Sequence, residues 1–175
     1  MDTYFYNNSE GVALCSNSHT TPASGVSTGS GFDNLSTSAL SATALSAAYI
    51  QMVGFRDSMG NRTDVEPDEI WIPPNLFEQA YEITASMGKL DGNTNNRNVH
   101  EGAYTIKRWN YMTDTNDWFL CDSRARRMSV FWVDRIGSEF AFVEDFDTLV
   151  GKWRGYGRWA NVERDWRWIN GSLVS

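Results

Sequence analysis

Three acidic residues close together, Glu144, Asp145 and Asp147, are the first candidates for chemistry in this sequence. Two carboxyl groups can act as general acid and base when a cleft places them in different environments. Here the acids follow the apolar stretch "EFAFVE", at the point where a strand would end. The pattern therefore favours a solvated turn over a catalytic pair.

The histidines and cysteines form no pattern typical of a metal site or a nucleophile. His19 lies in a Ser/Thr-rich stretch, His100 follows an Asn-rich one, and neither has a partner at ligand spacing, so surface or structural roles are expected. Cys15 and Cys121 lie far apart and form no Cys-x-x-Cys pair, which predicts two reduced thiols. The sequence thus predicts no catalytic, cofactor-binding or metal-binding residue and no enzyme activity.

Length and composition indicate a globular protein of one domain, or a large fragment of a two-lobed one, with many aromatic side chains. The chain has 175 residues, a formal net charge of -7, and eight Trp, seven Tyr and nine Phe. The acidic balance argues against a dedicated nucleic-acid binder, which carries a basic face. No apolar run reaches the ~20 residues of a membrane helix. The polar N-terminus does not resemble a signal peptide, so synthesis in a reducing cytoplasm is expected.

Residues 153–168, "WRGYGRWANVERDWRW", contain four tryptophans and four arginines. Aromatic residues interleaved with basic ones suit the stacking of single-stranded nucleic acid, but Glu163 and Asp165 interrupt the basic run. As a strand, the segment would direct Trp153 and Trp159 to one face and Arg154, Tyr156 and Arg158 to the other. Strand alternation favours a long strand, bent at its glycines, that packs against something large on at least one face.

The first half of the chain predicts two helices around a short strand. Residues 36–57 predict a helix capped by a hydroxyl at 36–38, with an apolar face formed by Leu45, Tyr49, Met52 and Val53. Ahead of it, residues 16–34 have the composition of an extended connector that buries little. Glu69–Ile72 predicts a strand, and Pro73-Pro74 leads into a second helix over residues 75–86.

The second half predicts strands. Short ones are expected within residues 103–112, 117–122, 128–135 and 139–144, followed by a long one over residues 148–169. The run "RARR", residues 124–127, predicts a hairpin tip between strands, or alternatively a set of charged contacts to a neighbouring subunit. The order of helices and strands indicates an α+β fold.

The order of several segments resembles that of the tailed-phage major capsid proteins with the HK97-type fold, of the Mu-like sort. The resemblance extends from about residue 11 to residue 172 and is carried by "GVALCSNSHT", "LSTSALSATALSAAYIQMVGFRDSMGN", "VEPDEIWIPPNLFEQAYEI", "TNNRNVHEGAYTIKRWNYMTDTNDWFLCD" and "EDFDTLVGKWRGYGRWANVERDWRWINGS". The resemblance implies a structural protein that assembles with copies of itself, as pentamers and hexamers, into an icosahedral shell around double-stranded DNA.

The same resemblance implies a division of the chain. Residues 1–34 would be an extended segment of the peripheral domain, 35–146 the axial domain, and 147–175 the closing strand of the peripheral domain. The family's N-terminal arm, E-loop and spine helix would precede residue 1 and are absent from this chain, so a missing N-terminal portion is an expected partner. Scaffolding, portal or decoration proteins are further implied partners. Membrane contact is not expected, and the implied location is the virion, assembled in the host cytoplasm.

Subunit contacts are expected at three places. The closing strand offers Trp153, Tyr156, Arg158, Trp159, Trp166 and Arg167; the Asn-rich loop offers Asn95, Asn96 and Arg97; and the basic run offers Arg124, Arg126 and Arg127.

Two other functions stay open from the sequence: an encapsulin-like compartment shell, and a Trp-rich module that binds single-stranded nucleic acid or glycans.

Overall fold

Three α-helices and seven β-strands occur in residues 10–87 and 97–174, the part of the chain that the computed structural model describes. The helices are α1 (Ala42–Val53), α2 (Phe77–Ala85) and α3 (Ser123–Ser129). The strands are β1 (Leu35–Ser36), β2 (Glu69–Ile72), β3 (Thr105–Arg108), β4 (Trp118–Cys121), β5 (Val130–Glu144), β6 (Gly151–Glu163) and β7 (Ile169–Ser172). This combination confirms the predicted α+β class.

Five strands form one mixed sheet in the order β1-β7-β4-β2-β3. The two outer pairs are parallel, whereas β4 is antiparallel to both β2 and β7. The register pairs Trp118 with Ser172 and Cys121 with Ile169, so the C-terminal strand lies near the centre of the sheet. Because β4 and β7 are neighbours, the chain leaves the sheet after β4 and re-enters it in the adjacent strand, β7.

The centre of the sheet is covered on both faces. All residues of β4 and β7 are buried, as expected of strands packed on two sides. On one face, the α1 residue Gln51 accepts a hydrogen bond from Asn170 Nδ2 at 2.9 Å. On the other face, a Cβ at Gly171 would lie 2.8 Å from the Cys15 sulfur, so only glycine leaves room for this contact. The core is therefore closed by the chain itself around β4 and β7.

Asn34 ties the N-terminal segment to the sheet. Its buried side chain donates through Nδ2 to the carbonyl oxygens of Leu14 (2.9 Å) and Ile169 (3.0 Å). Its Oδ1 accepts from the Ser16 N–H at 2.7 Å and from His19 Nε2 at 3.1 Å. As predicted, most of this Ser/Thr-rich segment is exposed or half-buried, but His19, Phe32 and Asn34 are buried, because a buried amide that is fully hydrogen-bonded can anchor a polar segment.

Helix α1 begins later than predicted. It starts at Ala42 rather than at residue 36, and the Ser41 Oγ caps it by accepting the Ala44 N–H at 3.1 Å. The residues before it are extended because Leu35 and Ser36 pair with β7. Strand pairing with a distant segment thus replaced the expected first turns.

The predicted apolar face of α1 is partly correct. Leu45 and Met52 are buried, and Ala48 joins them, but Tyr49 is exposed and Val53 is only half-buried. The helix ends at Val53, short of the predicted residue 57, since Gly54 closes its last turn.

The strand β2 has the predicted bounds, and the second helix lies where the prolines place it. Pro74–Leu76 forms a single 3-10 turn, and α2 continues from Phe77 to Ala85. Pro74 fits the first turn because a proline there loses no intrahelical hydrogen bond.

The basic run at residues 124–127 lies on a helix, and the predicted hairpin tip is wrong. Asp122 caps α3, because its Oδ1 accepts the backbone N–H groups of Arg124 at 2.8 Å and Ala125 at 2.9 Å. The sequence signal for this helix is an aspartate followed by residues with high helix propensity. The prediction of a turn did not take this signal into account.

The strands β5 and β6 form a separate two-stranded hairpin. They pair from Val130 with Glu163 to Glu144 with Gly151. The two strands predicted over residues 128–144 are therefore one, and the expected break between them is a pair of register shifts around residues 134–139. At about 3.4 Å per residue, the paired ribbon projects roughly 44 Å from the sheet.

The long strand predicted over residues 148–169 is interrupted. β6 ends at Glu163, residues 164–168 leave the ribbon, and β7 begins at Ile169 within the central sheet. The Arg164 N–H donates to the Ser129 carbonyl oxygen at 2.8 Å and closes the hairpin base against the end of α3. The sixteen-residue aromatic stretch thus belongs to two parts of the fold.

Candidate interaction surface

One face of the hairpin consists of exposed aromatic side chains. Alternation along β6 places Trp153 and Trp159 on this face, and the register places Phe142 opposite Trp153. The rings of Phe142 and Trp153 lie 4.5 Å apart, while those of Trp132 and Trp159 stack at 6.3 Å. Phe140 and Trp153 are the most exposed members, at 83% and 80%. Large exposed apolar surfaces are typical of interaction sites, and we call these five residues the aromatic face.

Glycines let these rings lie flat on the ribbon. A Cβ at Gly157 would lie 2.5 Å from the Trp159 ring, and one at Gly151 would lie 2.9 Å from the Phe142 ring. Both distances are below any ordinary contact, so a larger residue would displace the ring. Gly157, one of the glycines at which the sequence predicted a bend, thus makes room for an aromatic side chain.

The opposite face of the ribbon mixes charged and apolar side chains, since Phe131 and Val162 lie on it as well as the arginines. Both register shifts add residues to β5, so β6 keeps its alternation and directs Arg154, Tyr156 and Arg158 away from the tryptophans. Glu139 lies opposite Tyr156 in the register. Residues 130–163 carry four basic and six acidic side chains, so the ribbon lacks the continuous positive track that phosphates require.

Trp166 and Arg167 lie at the hairpin base, in contact with their own chain. Trp166 is 1% exposed, stacks on His19 at 4.1 Å and meets Phe55 edge-on at 5.1 Å. Arg167 pairs with Asp165 at 2.8 Å, and its guanidinium lies 4.7 Å from the Trp166 ring. We therefore leave both residues out of the proposed contact surface.

The basic run on α3 is mostly paired within the chain. Arg124 contacts the Asp64 carboxylate at 2.8 Å, and Arg126 contacts Glu69 at 2.8 Å. Arg127 is exposed. Arg124 and Arg126 are thus held by ion pairs within the chain, whereas Arg127 stays a predicted contact residue.

The Asn-rich loop contributes one described residue. Asn95 and Asn96 lie outside the described residues, and Arg97 is exposed with its Nε 3.4 Å from Glu101. The predicted role of this loop as a subunit contact stays a prediction.

The histidines have structural partners. His19 is buried, with Nδ1 at 3.2 Å from Glu10 and the ring stacked on Trp166. His100 Nε2 lies 3.0 Å from the Ser46 hydroxyl. Among the residues that the structure describes, no cluster of three His, Cys, Asp or Glu side chains could hold a metal ion.

Both cysteines are free thiols, as predicted. Burial raises the pKa of Cys15 to about 12 and that of Cys121 well above its ordinary value. Since the thiolate is the reactive form, both stay protonated and unreactive near neutral pH.

Glu163, the last residue of β6, is a half-buried acid at the hairpin base. Its Oε1 accepts a hydrogen bond from the Trp168 indole at 3.3 Å. Burial raises its pKa to about 7, although the Trp168 hydrogen bond lowers it, and Asp165 adds to the increase. The carboxyl is therefore partly protonated at neutral pH.

This pKa predicts a pH-dependent stability. The folded state binds the proton more tightly than the unfolded state does, so the contribution of Glu163 is complete below about pH 4.5 and is lost as pH rises through about 7. With the position half exposed, we expect a loss of about 1 kcal/mol between pH 5 and pH 8. Urea unfolding at several pH values measures it, and Glu163→Gln should remove this dependence. Glu144→Gln at the exposed end of β5 is the matched control, and equal curves for both variants would contradict the assignment.

Two groups of candidate contact residues were missed in the sequence. Phe140 and Phe142 complete the aromatic face, and their signal was the alternation in "EFAFVE". Trp71 and Trp109 line a surface pocket with the edge of one ring against the other at 5.1 Å. Nothing in the local sequence indicates this pocket, because the two tryptophans meet through the parallel pairing of β2 and β3.

Exposed aromatic rings on a projecting ribbon are the kind of surface through which proteins contact other chains. The chain belongs to the phage capsid protein family, whose model matches residues 8–169. Proteins of this family are structural components of the virion, so this chain is a structural protein of a phage capsid. Membership of the family implies that copies of the chain associate in a shell. No curated protein matches the chain. Within residues 10–87 and 97–174, no helix has both the length and the apolar character needed to cross a bilayer.

Proposed function

We propose that this chain is the major capsid protein, or a portion of it, of a tailed phage that packages double-stranded DNA. Copies assemble as pentamers and hexamers into an icosahedral shell, and the hairpin of β5 and β6 is the arm that contacts neighbouring copies. The observation that carries the proposal is the aromatic face, which is solvent-exposed on a ribbon about 44 Å long. An isolated two-stranded ribbon gains little stability by itself, so a partner surface explains why it carries such side chains.

The contact residues proposed on the ribbon are Trp153 and Trp159 on one face and Tyr156 and Arg158 on the other. Tryptophan, tyrosine and arginine are the residue types that contribute most to protein interfaces. The two faces could thus contact two different neighbours, as the tiling of a shell requires.

The finer fold assignment is also a proposal. It comprises the HK97-type fold of the Mu-like sort, the axial domain over residues 35–146, and a closing strand of the peripheral domain over residues 147–175. A missing N-terminal portion with the arm, E-loop and spine helix, together with scaffolding, portal or decoration proteins, would complete the shell. The observed pairing of β4 with β7 and of β5 with β6 joins the two proposed parts closely.

The shell would assemble in the host cytoplasm and enclose DNA without specific binding. A net charge of -7 suits a wall that must not grip the packaged DNA. The alternatives, an encapsulin-like compartment and a Trp-rich nucleic-acid or glycan-binding module, gain no support from the family match.

Negative-stain electron microscopy of the purified protein tests the proposal. We expect closed particles or rings of five and six copies, and rapid sedimentation of the same material. A solution of monomers that binds an oligonucleotide in a salt-dependent manner would contradict the shell function and favour the binding module.

A further inference from the structure

The hairpin tip has an unusual combination of side chains. The loop of residues 145–150 joins β5 to β6, and the acids Glu144, Asp145 and Asp147 surround Phe146, which is 94% exposed. Lys152 pairs with Asp145 at 2.8 Å. A solvated turn needs no such phenylalanine, and an exposed aromatic ring among acids is instead typical of an anchor that enters a pocket.

The tip also holds a strained backbone. Leu149 has a φ of 52°, a region that residues with a Cβ rarely adopt. Its N–H donates to the Asp145 carbonyl oxygen at 2.8 Å, and the Asp145 N–H donates to the Val150 carbonyl oxygen at 3.0 Å. These bonds keep the loop tight, so Phe146 is presented on a fixed turn and binding would order few additional torsions.

The surface pocket lined by Trp71 and Trp109 has complementary chemistry. It measures about 390 Å³, within the range of sites that hold a compact apolar group. The apolar part of its lining consists of Trp71, Trp109 and Tyr111, of which Tyr111 is 89% exposed. An aromatic side chain entering this pocket would meet edge-to-face partners.

Basic side chains surround the same pocket. Lys107, Arg108 and Arg126 line it, and the Arg126 guanidinium lies 4.9 Å from the Trp71 ring. Glu69 is the acid that faces them, 2.8 Å from Arg126 and 4.0 Å from Lys107. Three bases against one acid leave the rim positive, which matches the acidic tip.

The ribbon prevents the tip from reaching the pocket of its own chain. Arg126 lies on α3, directly before the strand β5 that starts the hairpin, so the pocket is at the ribbon's base. The tip lies at the other end, roughly 44 Å away along the paired strands. Turning back would break the pairing of β5 with β6, so the pocket must be filled by another copy.

We propose that the acidic tip of one copy docks, through Phe146, in the Trp71–Trp109 pocket of the next copy. The tip and the pocket are different surfaces, so the contact is head-to-tail and closes a ring when the rotation between copies is right. This inference rests on the proposed shell function, because it names the partner surface of the same arm.

Cross-linking between two cysteine variants tests the docking. Thr148→Cys places a thiol on the tip and keeps Phe146, while Asn110→Cys places one at the pocket; both positions are exposed. The two variants are mixed before assembly and treated with a short thiol-reactive linker. The native cysteines remain in place, since both are buried or nearly so and protonated.

The control mixture replaces Asn110→Cys by Ile50→Cys, an exposed position on α1. We expect about tenfold more linked dimers from the test mixture than from this control. Adding Phe146→Asp to the tip variant should reduce the yield to that of the control. Arg108→Glu at the pocket should also lower it, and Asp147→Lys on the tip should restore it.

The outcomes separate this inference from the function on which it depends. Normal particles with a yield no greater than the Ile50→Cys control would overturn the docking but leave the shell function intact. Monomers from the unsubstituted protein under every assembly condition would instead contradict the shell function.

Discussion

Replacing Trp153 and Trp159 together by alanine should abolish particle formation while the protein remains folded. Both side chains lie on the exposed aromatic face, and truncating a central tryptophan at an interface costs about 2 kcal/mol or more. In the proposed shell each copy would repeat the contact around a ring, so a loss of roughly 30-fold in affinity per residue would accumulate. Electron microscopy and sedimentation measure the particles, and circular dichroism follows the fold.

The matched control removes two exposed hydrophobic side chains elsewhere. Ile50 on α1 and Tyr81 on α2 are both exposed, and their double alanine variant should assemble normally. The double phenylalanine variant of Trp153 and Trp159 should keep part of the assembly, because it retains aromatic area. Normal shells from the Trp153→Ala, Trp159→Ala variant would show that the aromatic face is not a subunit contact.

Trp166→Ala should act through a different quantity, the free energy of unfolding. The side chain fills the space between His19, Phe32 and Phe55, and its removal should cost about 3–5 kcal/mol. Domains of this size have only about 5–15 kcal/mol in total, so the variant should be largely destabilised. Urea unfolding gives the value directly, and any loss of particles would follow from the loss of the fold.

Trp166→Phe is the control for this assignment. The buried Nε1 has no hydrogen-bond partner among the described residues, so phenylalanine removes an unpaired donor while it keeps a ring against His19. We expect Trp166→Phe to be clearly more stable than Trp166→Ala. An alanine variant with the normal free energy of unfolding but no particles would return Trp166 to the list of subunit contacts.

Local patterns predicted the elements whose signals are short-range. The strand β2 has the predicted bounds, and the Pro-Pro pair correctly located the second helix. Alternation along β6 correctly separated the tryptophans from the arginines. In each case the cause is in the backbone itself, either the missing N–H of proline or the pleat of a strand.

Long-range pairing explains the errors. The expected first turns of α1 are extended because Leu35 and Ser36 pair with β7, about 135 residues further along the chain. The helix at the basic run is the exception, because its cap, Asp122, is local and was visible in the sequence. Residues 16–34 are anchored by Asn34, whose partners lie on both sides of the chain in sequence. Single-residue preferences contain no information about such partners.

By itself the sequence determined the α+β class, the absence of a recognisable catalytic motif, and the order of segments that resembles phage capsid proteins, a family confirmed by the match over residues 8–169. It could not decide which tryptophans of one short stretch face solvent. Trp153 and Trp159 are exposed on the ribbon, while Trp166 and Trp168 lie in the core. Burial depends on which distant segments pack together, and only the tertiary structure placed His19, Phe32 and Phe55 around Trp166.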